Sequence, residues 1–338
     1  MGPCVKRTEM LSRKGSRMVV DVFPFFREFD LLELRLAVLD SIVDRFVIVE
    51  GTRTFSGQPK PLWFVEHRDR YAKWLPKIRH VVVDDWPDSR DPWLYENHQR
   101  NAGARGLGDL PDDAQLIVSD LDEIPNPDAL ARAFGLPGVK WLLMRDFRMF
   151  VNAVPVAKPL WFGSPKVLTY GEFRRTAELR RFKYCKFAPR VCNQGASLVK
   201  VRRMKDSVLV RDGGWHFSFL GGIVEITRKI QAYSHQERNT PEFLDAERLK
   251  RLLAEGRTVN GSRLLMVPLK SLGLPSAARE VIARCPDMVA PLQGSSVRAE
   301  LERMASRAEA RQRRSWLYLS RWLRAACAAR GIRLPVSR

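Results

Sequence analysis

Ala114-Gln-Leu-Ile-Val-Ser-Asp-Leu-Asp-Glu-Ile-Pro125 runs an apolar stretch of strand length straight into the acids Asp120, Asp122 and Glu123, and Asn126-Pro127 bars its continuation. A short apolar run bounded by turn residues predicts a buried strand, here over residues 114–120. Upstream the same character recurs over residues 18–23, 45–50 and 78–84, and helical periodicity fills 28–42, 65–75 and 93–106. Strands that are apolar almost throughout, each followed by a helix, predict an α/β fold with a mainly parallel sheet flanked by helices. Such sheets hold ligands beyond the carboxyl ends of their strands, where Asp21, Glu50, Asp84, Asp85, Asp120 and Asp122 all fall.

Downstream, a short helix after Pro127, a strand over 140–150 and a helix over 223–236 are predicted, with an aromatic and basic stretch up to His216 between them. From Pro241 the pattern is helical with Gly and Pro interruptions. The chain therefore divides into an N-terminal extension (1–17), a main domain (18–240), a helical extension (241–296) and an Arg-rich amphipathic tail (297–338).

With 338 residues, 45% of them hydrophobic, the chain can bury a large core. Lys and Arg number 58 against 38 acidic residues, a net charge of +20 that calls for an anionic partner. No helix-turn-helix, zinc-finger or RRM signature accompanies that charge, so nucleic acid is not the expected one. Cys4, Cys185, Cys192, Cys285 and Cys327 are too scattered for a disulfide framework, which points to a reducing compartment. The start of the chain has no apolar signal-peptide core, and no apolar run approaches the roughly 20 residues of a membrane span. A cytoplasmic protein is expected. The tail carries eleven Arg against three Glu, with Trp316, Leu319, Leu323 and Ala326 at helical spacing. It reads either as a helix on an anionic membrane surface or as one docked on its own domain.

The acidic strand end has a chemistry of its own. Two aspartates two apart, where a chain turns out of a sheet, can meet a hard divalent cation, and oxygen ligands suit Mn²⁺ or Mg²⁺ beside a diphosphate. On the motif alone a solvated turn is the better account; its place after a fourth buried strand reverses that order. Asp122 is the first candidate for direct metal contact, with Asp120 supporting through ribose or water, and Glu123 either joins them or caps the turn. His216, in Gly-Gly-Trp-His-Phe-Ser, either completes the metal shell or is structural. For donor binding, Glu50 ends the second strand, Arg53 and Lys60 lie in a Pro- and Gly-punctuated loop, and Arg100 shares a helical face with Glu96. Trp161 and Trp215 either stack on sugar faces or fill the core.

Several stretches in fixed order carry a wider resemblance: residues 21–35, Phe46-Val-Ile-Val-Glu50, residues 54–61, Glu96 with Gln99-Arg-Asn101, and residues 119–125. Trp161, Gly214-Trp-His-Phe-Ser218 and Ser234-His-Gln-Glu237 follow more loosely. Over roughly residues 18–240 the chain resembles glycosyltransferase family 17, which includes the β-1,4-mannosyl-glycoprotein 4-β-N-acetylglucosaminyltransferases. The resemblance implies a GT-A-like fold and inverting, metal-dependent transfer of a sugar, GlcNAc first, from a UDP-sugar donor. A glycan or lipid-linked glycan would be the acceptor. An inverting enzyme needs a carboxylate to take the acceptor proton, and Asp146 and Asp212 are the candidates. Two other functions stay open: a metal-dependent nucleotidyltransferase, and a non-catalytic basic protein that binds membrane or nucleic acid.

Overall fold

The computed structural model describes residues 17–108, 110–161, 165–176 and 208–292. The tail over 297–338, nearly all of the N-terminal extension, and Cys4, Cys185, Cys192 and Cys327 lie outside the described residues. In chain order the strands are β1 (Val19–Phe25), β2 (Arg45–Gly51), β3 (Ile78–Val83), β4 (Gln115–Val118), β5 (Glu123–Pro125), β6 (Lys140–Leu142), β7 (Met144–Arg148), β8 (Ala153–Pro155), β9 (Leu160–Trp161), β10 (Lys166–Thr169), β11 (Val208–Val210), β12 (Gly214–Ser218) and β13 (Leu264–Met266). The helices are α1 (Phe29–Leu39), α2 (Trp63–Glu66), α3 (Pro92–Ala102), α4 (Pro127–Phe134), α5 (Tyr170–Thr176), α6 (Gly222–Ala232), α7 (Pro241–Leu244), α8 (Ala246–Ala254) and α9 (Ser276–Arg284).

Seven strands form the main sheet in the order β11-β6-β10-β4-β1-β2-β3. β4, β1, β2 and β3 run parallel, and β10 lies antiparallel between β4 and β6. Alternate residues enter two separate cores, as a strand period of two requires. Val19, Phe23, Phe46, Ile48 and Ile117 pack with α1 and α9, whereas Val20, Val22, Val47, Val49 and Leu116 pack with Ala102, Leu107 and Phe173. Both faces are thus covered, which is why these strands read as continuous apolar runs. Asp21 lies on the face beneath α1, which presents Arg35 to it from among the buried leucines Leu31, Leu32, Leu34, Leu36 and Leu39.

A second sheet, β5-β12-β7-β9, leans on the first core. Asn126 caps α4 by accepting from the Asp128 amide, and Pro127 takes the first helical position, so the chain turns into a helix directly after β5.

Several elements depart from the sequence reading. The helix expected over 65–75 is the single turn α2 followed by a 3₁₀ stretch, Arg68–Lys77, with Pro76 near its end. Proline removes a backbone donor there, and burial of Phe64, Tyr71 and Trp74, not helical periodicity, anchors the segment. The strand expected over 140–150 is two strands in two sheets, split at Leu143, whose amide donates to Val210 and whose carbonyl accepts from Gly213. The helix expected over 223–236 ends at Ala232. Residues 241–292 hold helices and also β13, which pairs with β8, and α9 packs in the same core as α1. The boundary at 240 is therefore no break in packing. Among the described residues no helix is long and apolar enough to cross a membrane.

Candidate active site

Residues 120–123 close on themselves as the chain leaves β4. The Glu123 amide donates to the Asp120 carbonyl (3.0 Å), and the Asp120 amide donates to the Glu123 carboxylate (2.7 Å). Leu121 is buried and pins the turn to the core. Beneath it lies Arg35, whose Nη1 donates to the carbonyls of Asp120 (2.8 Å), Leu121 (3.2 Å) and Glu123 (2.9 Å). Its Nη2 reaches Ser119 Oγ at 2.6 Å, and Asp21 neutralises it from β1. One planar guanidinium, presenting several donors in a fixed fork, thus sets the shape of the acidic loop.

The second sheet supplies the loop's neighbours. In its register His216 of β12 stands opposite Glu123 of β5 on one side and Asp146 of β7 on the other. His216 Nδ1 donates to Asp146 Oδ1 at 2.7 Å, and its ring stacks on Trp161 with centroids 4.1 Å apart. Trp161 Nε1 donates to Glu123 Oε1 at 2.6 Å. A proton on Nδ1 leaves the Nε2 lone pair to accept. That atom faces Asp122 Oδ2 at 3.8 Å.

A cation already stands at the same oxygen. Lys229 of α6 places Nζ 3.0 Å from Asp122 Oδ2 and 3.3 Å from Glu28 Oε1. Burial alone would raise the Asp122 carboxyl; the Lys229 ammonium at its oxygen outweighs it and holds it below the ordinary value. Burial, with Asp120 and Asp122 added, pushes Glu123 up. Burial works against the Lys229 ammonium, but Asp122 and Glu28 raise it well above the ordinary lysine value.

Asp120 is paired from the other side, by Arg100 of α3. Arg100 Nε also meets Glu96 at 2.9 Å, so the i, i+4 contact is present, and Glu96 in turn accepts from Ser234 Oγ. The chain Ser234–Glu96–Arg100–Asp120 ties the segment after α6 to the acidic loop.

Asp120, Asp122, Glu123, His216, Asp146 and Arg100 are therefore brought together, while other sequence candidates fall elsewhere. Glu50 is fully buried, with its carboxylate on Lys60 (3.1 Å), the Phe64 amide (3.1 Å) and His80 Nε2 (3.1 Å), so it braces the loop after β2. Burial pulls the Lys60 ammonium below its ordinary value, with Glu50 opposing. Arg53 is exposed in the loop closed by its bridge to Pro59. Trp215 is wholly buried and its Nε1 donates to the Leu272 carbonyl, so it offers no face to a sugar.

The two candidate bases lie in different places. Asp146 is buried, with Arg148 Nε 3.0 Å from each of its oxygens and His216 on one of them, so it orients the imidazole. Asp212 lies beside Asn126, beyond the end of β5 remote from Asp122. Arg35 and Ser234 entered the sequence reading only within the stretches that carry the family resemblance, with no role assigned, and Lys229 was not singled out. Arg35 had one usable signal: a lone arginine among helical leucines needs a buried acid, and Asp21 is the acid in the neighbouring strand. Lys229 had none, because one lysine on a polar helix face resembles any other.

Among the described residues no three His, Cys, Asp or Glu side chains converge into a metal cage. Asp122 Oδ2 and His216 Nε2 are two converging acceptors, which is the donor set of an ion that completes its shell with phosphate oxygens and water.

Residues 5–178 and 190–268 match the sequence profile described as glycosyltransferase family 17. The chain is similar to the beta-1,4-mannosyl-glycoprotein 4-beta-N-acetylglucosaminyltransferase of Rattus norvegicus, 30% identical over 132 residues that are 37% of this chain and 24% of that protein. It is similar to the Homo sapiens protein of the same name, 30% identical over 132 residues, 37% of this chain and 25% of that protein. The shared stretch spans about a quarter of the length of these relatives.

Proposed function

The chain belongs to glycosyltransferase family 17, and we propose that it moves a sugar, GlcNAc first among the candidates, from a UDP-sugar to a hydroxyl of a glycan or lipid-linked glycan. The transfer is a single displacement with inversion at the anomeric carbon, on a GT-A-like scaffold. The observation that carries this reading is the convergence of Asp122 Oδ2 and His216 Nε2, 3.8 Å apart, where the chain leaves β4. Parallel strands of the main sheet, with acids where they emerge, support the scaffold.

The division of labour follows from the contacts. Asp122 and His216 would hold Mn²⁺ or Mg²⁺ together with the donor's diphosphate; what the cation would supply is charge neutralisation on the departing UDP. Asp146 fixes the His216 ring so that Nε2 stays an acceptor. Arg35 and Glu123 hold the loop shape, so that Asp122 does not have to be ordered when the donor arrives. Arg100 keeps Asp120 oriented from the α3 side, where it would meet the ribose directly or through water.

The test is release of UDP from a panel of UDP-sugars by the wild-type chain and by Asp122→Asn, each with Mn²⁺ and with chelator. Turnover of UDP-GlcNAc that needs the ion and is lost in Asp122→Asn supports the reading. Equal turnover in chelator, or an α-linked first product by proton NMR from an α-configured donor, defeats it. Release of pyrophosphate from UTP or CTP instead would make the chain a nucleotidyltransferase.

A further inference from the structure

Neither the motif nor the transfer chemistry above uses Lys229, although it holds the central carboxylate. Its Nζ bridges two loops, one after β4 through Asp122 (3.0 Å) and one after β1 through Glu28 (3.3 Å). β1 and β4 are neighbours in the parallel part of the sheet, so both loops emerge at the edge where ligands enter. The Lys229 side chain is 24% exposed, against 0% for the side chain of Arg35, so it lies at the surface edge of the site. A lysine head on a four-carbon stem is also the cation best able to change partners without moving its helix.

The oxygen that Lys229 holds, Asp122 Oδ2, is the same one that faces His216 Nε2. A divalent ion taking this oxygen would meet the ammonium that already holds it at 3.0 Å, a repulsion that burial strengthens. The conflict is removed if the ammonium leaves the carboxylates for an anion of higher charge density. A nucleoside diphosphate is such an anion, and it would bring its oxygens to this edge.

We propose that Lys229 is a diphosphate-binding residue that rests on Asp122 and Glu28 and transfers to the donor's phosphates as the divalent ion takes Asp122. The two ligands then bind cooperatively: the ion alone has to displace the lysine, while the nucleotide gives the lysine a new partner. The inference rests on the nucleotide-sugar transfer proposed for this site.

The test measures Mn²⁺ binding to the full chain by EPR, and UDP binding by calorimetry, for wild type, Lys229→Met and Lys229→Arg. Melting temperatures confirm that each variant is folded. For Lys229→Met the expectation is Mn²⁺ binding without nucleotide that tightens by about fivefold or more, and UDP binding with Mn²⁺ that weakens by about the same factor, the low end of coupling between linked sites. Lys229→Arg keeps the charge and stays near wild type in the first measurement, and it supplies the comparison should Lys229→Met not fold. Unchanged or weaker Mn²⁺ binding in Lys229→Met overturns the proposal, as does unchanged UDP affinity, which would make Lys229 a strut between loops. Wild-type protein that binds neither Mn²⁺ nor UDP overturns the transferase reading and this inference with it. Wild-type binding of both, with Lys229→Met indistinguishable, overturns this inference alone.

Discussion

Arg35 grips both oxygens of Asp21, with Nε at 2.8 Å and Nη2 at 2.7 Å, and neither side chain has any exposed surface. The pair joins α1 to β1, and the spare donors of the same guanidinium carry the turn on which Asp120 and Asp122 stand. Stability and site geometry therefore share one side chain.

Removing one partner of a buried pair leaves the other charge without compensation, which is far more damaging than removing both. Arg35→Met is expected to lower unfolding free energy by about 3–5 kcal/mol in urea titrations. The double change Arg35→Met with Asp21→Leu should recover most of that loss. It should not recover Mn²⁺ or UDP affinity, because the carbonyls of Asp120, Leu121 and Glu123 still lack their donor. Recovery of both together would show that Arg35 only fills the core.

Asp146 accepts from Nδ1 of His216 and so decides which nitrogen faces Asp122. In Asp146→Asn the amide can turn its N–H₂ toward the ring and reverse the tautomer. Partners that orient a metal-binding histidine usually change affinity about 10- to 100-fold when replaced. Mn²⁺ affinity measured in the presence of UDP should fall within that range, with the far-ultraviolet circular dichroism unchanged. Unaltered affinity would remove His216 from the ion's shell.

Gly214 opens β12 at φ +139°, and a Cβ there would lie 2.1 Å from the Ile124 carbonyl and 2.8 Å from the Asn126 amide. Both neighbours are backbone of the segment that follows the acidic loop, so no side chain can yield. Gly214→Ala should cost about 3 kcal/mol or more, the scale of strain added to overpacking, and should lower the melting temperature sharply. A melting temperature within a degree or two of wild type would mean that β5 and β12 can separate freely.

Burial pushes the Tyr71 phenol above its ordinary 10.0. The unfolded chain then ionises first as pH rises, so this contribution to stability is complete below pH 10 and is lost progressively above it. Tyr71→Phe should flatten the alkaline part of the stability profile, measured by denaturant unfolding from pH 8 to about pH 11. At neutral pH it should cost about 1 kcal/mol for the hydrogen bond to the Phe29 carbonyl, which spans 3.1 Å. An unchanged alkaline slope would assign that slope to other groups.

Local patterning made much of this molecule readable. β1, β2, β3 and β4 lie within a few residues of their expected places, because an apolar run between turn residues is a local signal. The acids at the end of β4 were legible for the same reason. Residues 140–150 were not, since the chain passes from one sheet to the other at Leu143 with no proline or glycine to mark the change. Asp146 and Trp215 looked available to ligands in one dimension; the second sheet buries both. Glu50 also looked like a ligand contact at its strand end, but Lys60, Phe64 and His80 close over it.

The sequence by itself determined a largely parallel sheet covered on both faces and the clustering of carboxylates where its strands emerge, because strand periodicity and turn chemistry act over a few residues. Which side chains meet those carboxylates was decided only by the tertiary structure. Lys229 reaches Asp122 across 107 residues of chain, Arg35 reaches the Asp120 carbonyl across 85, and His216 meets Asp146 across 70. Such pairs depend on strand order, register and helix docking, which are set by burying apolar faces far from the charges themselves.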